Sequence, residues 1–465
     1  MLLLYYMYII KQQKGTAMII KLPEQVNTAL NLLSDNGFEG FIVGGCVRDC
    51  ILGITPYDWD ITTNATPAET ENCFKDYKII ETGFQHGTVT VLIDKIPLEI
   101  TTYRIDGEYF DCRRPESVTF SRNLKDDLSR RDFTVNTLCY NQKDGLIDLF
   151  GGIDDINNKI IRCVGEPDKR FSEDALRIMR GIRFSATLGF KIDKSTADSI
   201  RCNRQLLTNI SFERIRVEFN KLICGKNATE IIRQYSDVFG VFIPELLPLI
   251  GCEQKTKYHK YDVFEHTLVA VDNIDSDDLI LRLTMLFHDF GKPQAKTTDE
   301  KGTSHFKGHA KISGKLANDI LKRLKYDNKT INEVTKLVLI HDMKSAKSKI
   351  EAKHMLNHIG DEDYLRLIKI KRADNRAKAN PHSIDEKLEN MLKFYNEIKQ
   401  NNECYTLNSL DISGNDIISL GKFKGTEIKS ALDFLLNAVI DENCLNKKGK
   451  LIKYFEENYN DCKES

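Results

Sequence analysis

No Cys-x-x-Cys pair occurs in this 465-residue chain, although it carries twelve cysteines, the closest two being Cys46 and Cys50. That spacing excludes a zinc ribbon and a disulfide framework, and points to mostly buried free thiols in a reducing cytosol. Net charge is also missing, at −1, so no global field argues for nucleic acid or membrane. Long apolar runs are absent too. The opening "MLLLYYMYII" has no basic flank and no small-residue cleavage site, so it is poor as a signal peptide, and it is too short for a membrane span. Residues 1–17 are therefore expected to be an extension, with Met18 as the natural start. Low-complexity linkers and fixed-period repeats are lacking, and tryptophan occurs once, at Trp59. With 41% hydrophobic and 29% charged residues, the composition is that of an ordinary soluble globular protein, and at roughly 150 residues per domain the length predicts about three domains.

What is present is alternation, followed by helices. "PEQVNTALNLLSDNG" (23–37) places Val26, Leu30 and Leu33 at helical spacing with Gly37 as a stop. "FEGFIVGG" reads as a strand, "CVRDCILG" as a helix closed by Gly53, and "YDWDITT" as a second strand. "GTVTVLIDKIPLEITTYR" (87–104) predicts a hairpin with its turn near Asp94 to Pro97. From about Lys159 the pattern is mainly helical, and a block from Tyr258 to Asn380 carries almost all the histidines. Residues 301–350 hold twelve lysines and arginines against four acids, either a solvated helical surface or the footprint of a polyanion.

Asp58 and Asp60 stand two apart in the second strand, so both project to one face while Trp59 turns toward the core. Paired carboxylates are costly without a cation. Mg²⁺ prefers such hard oxygens and leaves room for phosphate, and two ions can flank an in-line phosphoryl displacement. Gly44 and Gly45 lie between strand and helix, where backbone amides can hold a triphosphate. Arg48 adds a charged fork, and Glu99, on an adjacent strand, is the candidate third acid in preference to Asp94 in the turn.

These residues and four later blocks carry a resemblance. "FIVGGCVRD…YDWDITTNATP" resembles motif A of the class II tRNA nucleotidyltransferase and bacterial poly(A) polymerase superfamily. "DDLSRRDFTVNTL" (126–138), "LIDLFGGIDDI" (146–156), "RFSEDALRIMRGIRFSATLGF" (170–190) and "ISFERIRVEFNKLI" (210–223) resemble its next four motifs in order. The resemblance implies an α+β fold: a polymerase β-like mixed sheet with helices, then an all-α neck, an HD-type body and a C-terminal tail. The expected boundaries are 18–155 for the head, 156–250 for the neck, 251–380 for the HD-like domain and 381–465 for a tRNA-binding tail. In motif B, Asp132 is suited to accept from a ribose hydroxyl, Arg130 or Arg131 to meet phosphate or base, and Asn136 joins the nucleotide set. Asp174 and Arg177, three apart on a predicted helix, are expected to be neighbours. The family uses this pair to read the base edge of CTP and then ATP, and Arg180 and Arg183 match further nucleotide-contacting positions. The charged stretch 104–127 corresponds to a family loop, where Arg113 and Arg114 either touch the primer end or are simply solvated.

The histidine block resembles an HD domain, with His266, His288, Asp289 and Asp374 as ligands of a divalent metal. Imidazole with carboxylate suits Mg, Mn, Ni, Co or Fe. His309 and His341 match extra histidines of some HD proteins. The last segment is similar to the C-terminal domain of bacterial CCA-adding enzymes. The resemblance implies template-independent addition of CCA to a tRNA 3′ end from CTP and ATP, in the cytoplasm and with no membrane partner. The in-class alternative adds only CC, only A or poly(A). The out-of-class alternative is a metal phosphohydrolase with an RNA-docking head.

Overall fold

The computed structural model describes residues 19–80, 83–84, 87–107, 117–274, 277–421 and 425–459. The extension at 1–17 and the loop arginines Arg113 and Arg114 lie outside these residues. The chain divides after Pro244 into two compact units.

The first unit holds one large sheet built from β1 (Gly40–Val43), β2 (Asp60–Thr63), β3 (Lys78–Ile80), β4 (Thr88–Ile93) and β5 (Ile96–Thr102). A separate ribbon, β6 (Arg104–Asp106) and β7 (Val118–Phe120), precedes β8 (Cys139–Asn141) and β9 (Gly145–Ile147). The seven-stranded order is β3-β4-β5-β2-β1-β8-β9. Only β2 and β5 pair in parallel, so the sheet is mixed. The β4–β5 hairpin turns on Asp94 and Lys95, whose φ values of 49° and 68° suit a two-residue turn that follows the strand twist. β1 is buried at all four positions, as a central strand covered on both faces should be.

Helices of this unit are α1 (Glu24–Asp35), α2 (Gly45–Ile51), α3 (Pro67–Cys73), α4 (Leu124–Ser129), α5 (Gly152–Asn158), α6 (Pro167–Glu173), α7 (Leu176–Leu188), α8 (Lys194–Cys202), α9 (Phe212–Ile223), α10 (Ala228–Gln234) and α11 (Ser236–Phe239). Thr66 and Glu69 form a reciprocal capping box on α3. Asp148, from the third motif, accepts the amides of Phe150, Gly152 and Ile153 and so anchors the start of α5.

In its described residues the second unit is helical apart from a two-residue β ribbon. It contains α12 (Val263–Asp272), α13 (Leu279–Phe287), α14 (Lys292–Ala295), α15 (His309–Arg323), α16 (Asn328–Ile340), α17 (Lys349–Ile359), α18 (Asp361–Arg376), α19 (Asp385–Gln400), α20 (Gly414–Leu420), α21 (Thr426–Ile440) and α22 (Lys448–Asn458). The last three close a separate apolar cluster around Ile417, Leu435, Ile440 and Leu451. Among the described residues no helix is long and apolar enough to cross a membrane.

Candidate functional site

Asp60 opens β2, and its parallel partner in β5 is Glu99. Residues opposed in parallel strands face the same side, so the two carboxylates stand together. Asp58 lies just before the strand and is exposed. Burial, together with the charges of Asp58 and Glu99, pushes the Asp60 carboxyl up to about 6, and Arg131 only partly offsets this. An all-carboxylate set short of positive charge fits a hard divalent cation. Trp59 departs from expectation: it is only partly buried, outside the core, because β2 begins one residue after it.

Gly44 is the N-cap of α2 with φ 83°, and a Cβ there would stand 3.1 Å from a guanidinium nitrogen of Arg131. Arg131 is therefore the motif-B arginine nearest both the glycine turn and Asp60. Arg130 differs in reaching on to Asp106, 3.9 Å away. Both arginines are gripped by Asp127, at 2.6 and 3.3 Å. Asp127 is fully buried and also accepts from the Thr62 hydroxyl on β2. Despite burial, Arg131 and Arg130 hold its carboxyl below the usual range. Sequence reasoning missed Asp127; its only signal was its place three and four residues before the two arginines, on one helical face.

Several expected nucleotide contacts are occupied by the protein itself. Arg48 is buried, with its guanidinium on Asp49 at 2.7 Å and Asn136 at 2.5 Å, so it is not an open fork. Asn136 in turn donates to Asp132. The other oxygen of Asp132 takes Arg180 at 2.6 Å, and the carboxyl is driven far down although burial opposes it. Arg183 donates to the buried Glu218 at 2.8 Å and lies 3.5 Å from the centre of the Phe184 ring. Arg48 and Arg180 approach the same ring at 5.0 and 5.4 Å, so Phe184 is a common platform that sequence reasoning did not single out.

Asp174 and Arg177 are joined through the backbone, the Arg177 amide donating to the Asp174 carbonyl at 2.9 Å, while their carboxylate and guanidinium hold other partners. Asp174 sits in the break between α6 and α7 with extended backbone. One oxygen accepts the Leu176 amide and the other accepts Arg214 at 3.0 Å. Arg177 points elsewhere, to Glu173 at 2.7 Å and the Arg130 carbonyl at 2.8 Å. The three-residue spacing implied a shared face only if both residues lay on one helix. The helix starts after Asp174, whose side chain takes the Leu176 amide in a local turn.

In the second unit six side chains converge from four helices and the loop after α13. His266 lies on α12, His288 and Asp289 follow α13, His309 begins α15, His341 follows α16 and Asp374 lies on α18. His266 Nε2 is 3.0 Å from Asp374 and 3.4 Å from Asp289, and His288 Nε2 is 3.2 Å from Asp289. His309 and His341 approach the second oxygen of Asp289 at 3.4 and 3.9 Å. Every one of these four rings turns Nδ1 to a backbone carbonyl: Ala377, Met285, Phe306 and Val338. That contact places a proton on Nδ1 and, wherever the ring is neutral, leaves the Nε2 lone pair facing inward, the ligand form. Burial keeps His266 and His341 below the ordinary imidazole range, His341 at about 4. Against burial, Asp289 and Asp374 hold His288 up at about 9, so the acids draw positive charge from whatever is present. Lys292 and Lys378 answer the same demand, each 2.6 Å from its carboxylate. Buried His288 Nε2 has no hydrogen-bond partner, and the donor set fits a divalent transition metal. Gly291 is needed here for space: a Cβ would come within 2.5 Å of the His309 carbonyl and 2.6 Å of the Ser313 amide.

With this geometry described, known proteins can be compared. Residues 40–162 match the family described as the poly A polymerase head domain. Residues 189–248 match an RNA and SrmB-binding site of polymerase A, and 296–455 match tRNA nucleotidyltransferase domain 2. A CCA-adding enzyme of Lactobacillus helveticus is 46% identical over 220 residues, 47% of this chain and 55% of that protein. This chain thus spans about half the length of the sequence relatives it matches. The crystal structure of a Bacillus stearothermophilus CCA-adding enzyme in complex with CTP is similar with a TM-score of 0.72 and 27% identity, covering 96% of this chain and 100% of the other. A Thermotoga maritima CCA-adding enzyme complexed with tRNA, at 21% identity and TM-score 0.59, covers 93% of this chain and 94% of the other and shares the fold.

Proposed function

We propose, from the premise that this chain belongs to the tRNA nucleotidyltransferase and poly(A) polymerase family, that it builds or repairs the CCA end of tRNA from CTP and ATP. The observation that carries this reading is the parallel register of Asp60 with Glu99, beside Asp58 and the Gly44 turn against Arg131. Asp58 and Asp60 would hold the divalent metal, Mg²⁺ by their hardness, and when bound it supplies Lewis-acid polarisation of the triphosphate and the attacking hydroxyl. The terminal ribose 3′-oxygen bonds to the α-phosphorus, the bond to pyrophosphate breaks, and the hydroxyl proton passes to solvent.

Arg131, braced by Asp127, meets the anionic nucleotide at the glycine turn. Asp174 and Arg214, rather than Asp174 and Arg177, offer the acceptor and donor pair for the base edge. Asp132, Asn136 and Arg48 form the buried frame behind that surface, together with Arg177, Arg180 and Arg183. We assign the head to 18–155, the neck to 156–250, the HD-like body to 251–380 and the tail to 381–465. The relatives' names and the basic stretch at 301–350 support a tRNA partner, and the free thiols support a cytoplasmic setting. Incubation with tRNA transcripts ending before CCA, after C and after CC, with each labelled nucleotide, tests the claim. Ordered C, C, A incorporation is expected; homopolymeric A tails on generic RNA would sink it.

The convergent histidines favour a second activity, hydrolysis of a phosphoester. His266, His288, Asp289 and Asp374 would hold one divalent ion, with Ni, Mn, Co or Fe preferred to Mg by the nitrogen donors.

A further inference from the structure

We infer that Tyr57 is the platform on which the last base of the RNA primer stacks while its 3′-hydroxyl is held at Asp58 and Asp60. This rests on the nucleotide-addition reading above, and adds a residue that positions the primer.

Tyr57 is 100% exposed, and among the described residues no other large apolar side chain is so bare. Ile54 is 50% exposed, and Trp59 is only partly buried. A single exposed apolar side chain is ordinary on a protein surface. Here the three follow one another in one short segment, and that segment runs into the acids. Asp58 comes directly after Tyr57, and the Cα atoms of successive residues are only about 3.8 Å apart. A ring at that position stands at the rim of the site where the attacking hydroxyl must lie.

The segment is held in place at both ends. Gly53, at φ 74°, closes α2, and the Ile54 amide donates to the Asp49 carbonyl at 2.8 Å. Pro56 fixes its own φ and favours an extended Thr55. The chain then bends at Tyr57 and enters β2 at Asp60. A tyrosine on such a corner offers a large flat contact at small cost in side-chain ordering. Stability does not account for the ring, because a fully exposed side chain buries nothing in the folded chain.

The reaction asks for a group of this kind. The primer ends in a different base at successive steps: first the residue before CCA, and afterwards C. Hydrogen bonds to a base edge would favour one of these ends over the others. Stacking is sequence-tolerant, because every base has a π face, so one aromatic ring serves each step. Selection of the incoming nucleotide is kept apart, at Asp174 and Arg214. Unstacked bases of single-stranded RNA are the form that aromatic side chains take up, so the occupant is a single-stranded 3′ end.

The test compares the parent chain with Tyr57→Ala, Tyr57→Leu and Tyr57→Phe, on tRNA transcripts ending before CCA, after C and after CC. With Ala or Leu the KM for tRNA should rise about tenfold at every end while the KM for CTP and ATP stays within about twofold, and Phe should match the parent. Urea unfolding midpoints should coincide for all the chains. A transcript with 2-aminopurine as its last residue should be quenched by saturating parent or Tyr57→Phe protein, and should stay bright on Tyr57→Ala. An unchanged tRNA KM, a Leu variant as good as Phe, or a rise confined to the nucleotide KM overturns the platform. So does a lowered unfolding midpoint in the Ala and Leu variants, which would make the ring structural. A parent chain that extends none of the transcripts overturns the nucleotide-addition reading beneath it.

Discussion

In the first unit Asp60 at the start of β2 and Glu99 within β5 stand beside Asp58, with no imidazole among them in the described residues; in the second, four imidazoles close around carboxylates, three of them from helix ends. The difference follows from secondary structure as well as composition. Parallel register sets Asp60 and Glu99 on the same face of the sheet, which suits the open site proposed for a triphosphate. Helix termini deliver His288, His309 and His341 from separate directions, which suits a closed cage. The two sites also obtain their positive charge differently. The head has Arg131 at its margin, whereas the second site has Lys292 and Lys378 directly on its acids. A hard, exchangeable ion fits the first and a tightly held, nitrogen-preferring ion fits the second.

The sharpest way to break this comparison is to remove one site and read both. Asp60→Ala should lower nucleotide addition by about 10³-fold or more, since several kcal/mol of charge stabilisation is lost, and should leave metal content of the second unit unchanged. His288→Ala should do the reverse: metal falls, and addition stays within a few-fold. If both variants lost both properties, the sites would not be independent.

Asp127→Ala should be the most destabilising change in the head, by about 3–5 kcal/mol, because it strands two arginines beside a fully buried position. Urea unfolding of the wild-type and variant chains measures this. Gly291→Ala should cost about 1–3 kcal/mol by overpacking against backbone, and should weaken metal retention only in the second unit.

The smallest effect concerns pH. Asp60 rises from 3.8 to about 6 in the folded chain. Its contribution to metal-free stability is thus complete below about 3.8 and is lost as pH rises through 6. Metal binding needs the ionised form, so head affinity for Mn²⁺ should climb up to pH 6 and then level. Asp58→Asn removes one of the charges that raise it and should move that inflection down by part of a unit, because burial is the larger cause. Calorimetric titration of Mn²⁺ from pH 5 to 8, with His288→Ala to silence the second unit, reads the shift.

Much of the head was legible. The hairpin, its turn at Asp94, the Gly44 turn and the neighbouring strand of Glu99 all follow from period-two alternation and turn residues. The break before α7 was not. Asp174 reads as helical by spacing, yet its carboxylate caps the helix from outside. Asp127 escaped notice because an acid in a charged run looks solvated until the fold buries it. Trp59 looked like a core anchor because large aromatics usually are, but a strand that starts one residue later leaves it at the rim.

The amino-acid sequence alone determined which chemistry this protein carries: acids at a strand, glycines before a helix, and histidines in an order that suits metal. Local patterning is sufficient for that, because residue type and near-neighbour spacing set donor hardness and secondary structure. Only the tertiary structure decided which groups are free to act. It turned Arg131 rather than Arg130 toward the acids, paired Asp174 with Arg214 across 40 residues, and set both oxygens of Asp289 between two pairs of imidazoles. Those are long-range contacts, and no local period encodes them.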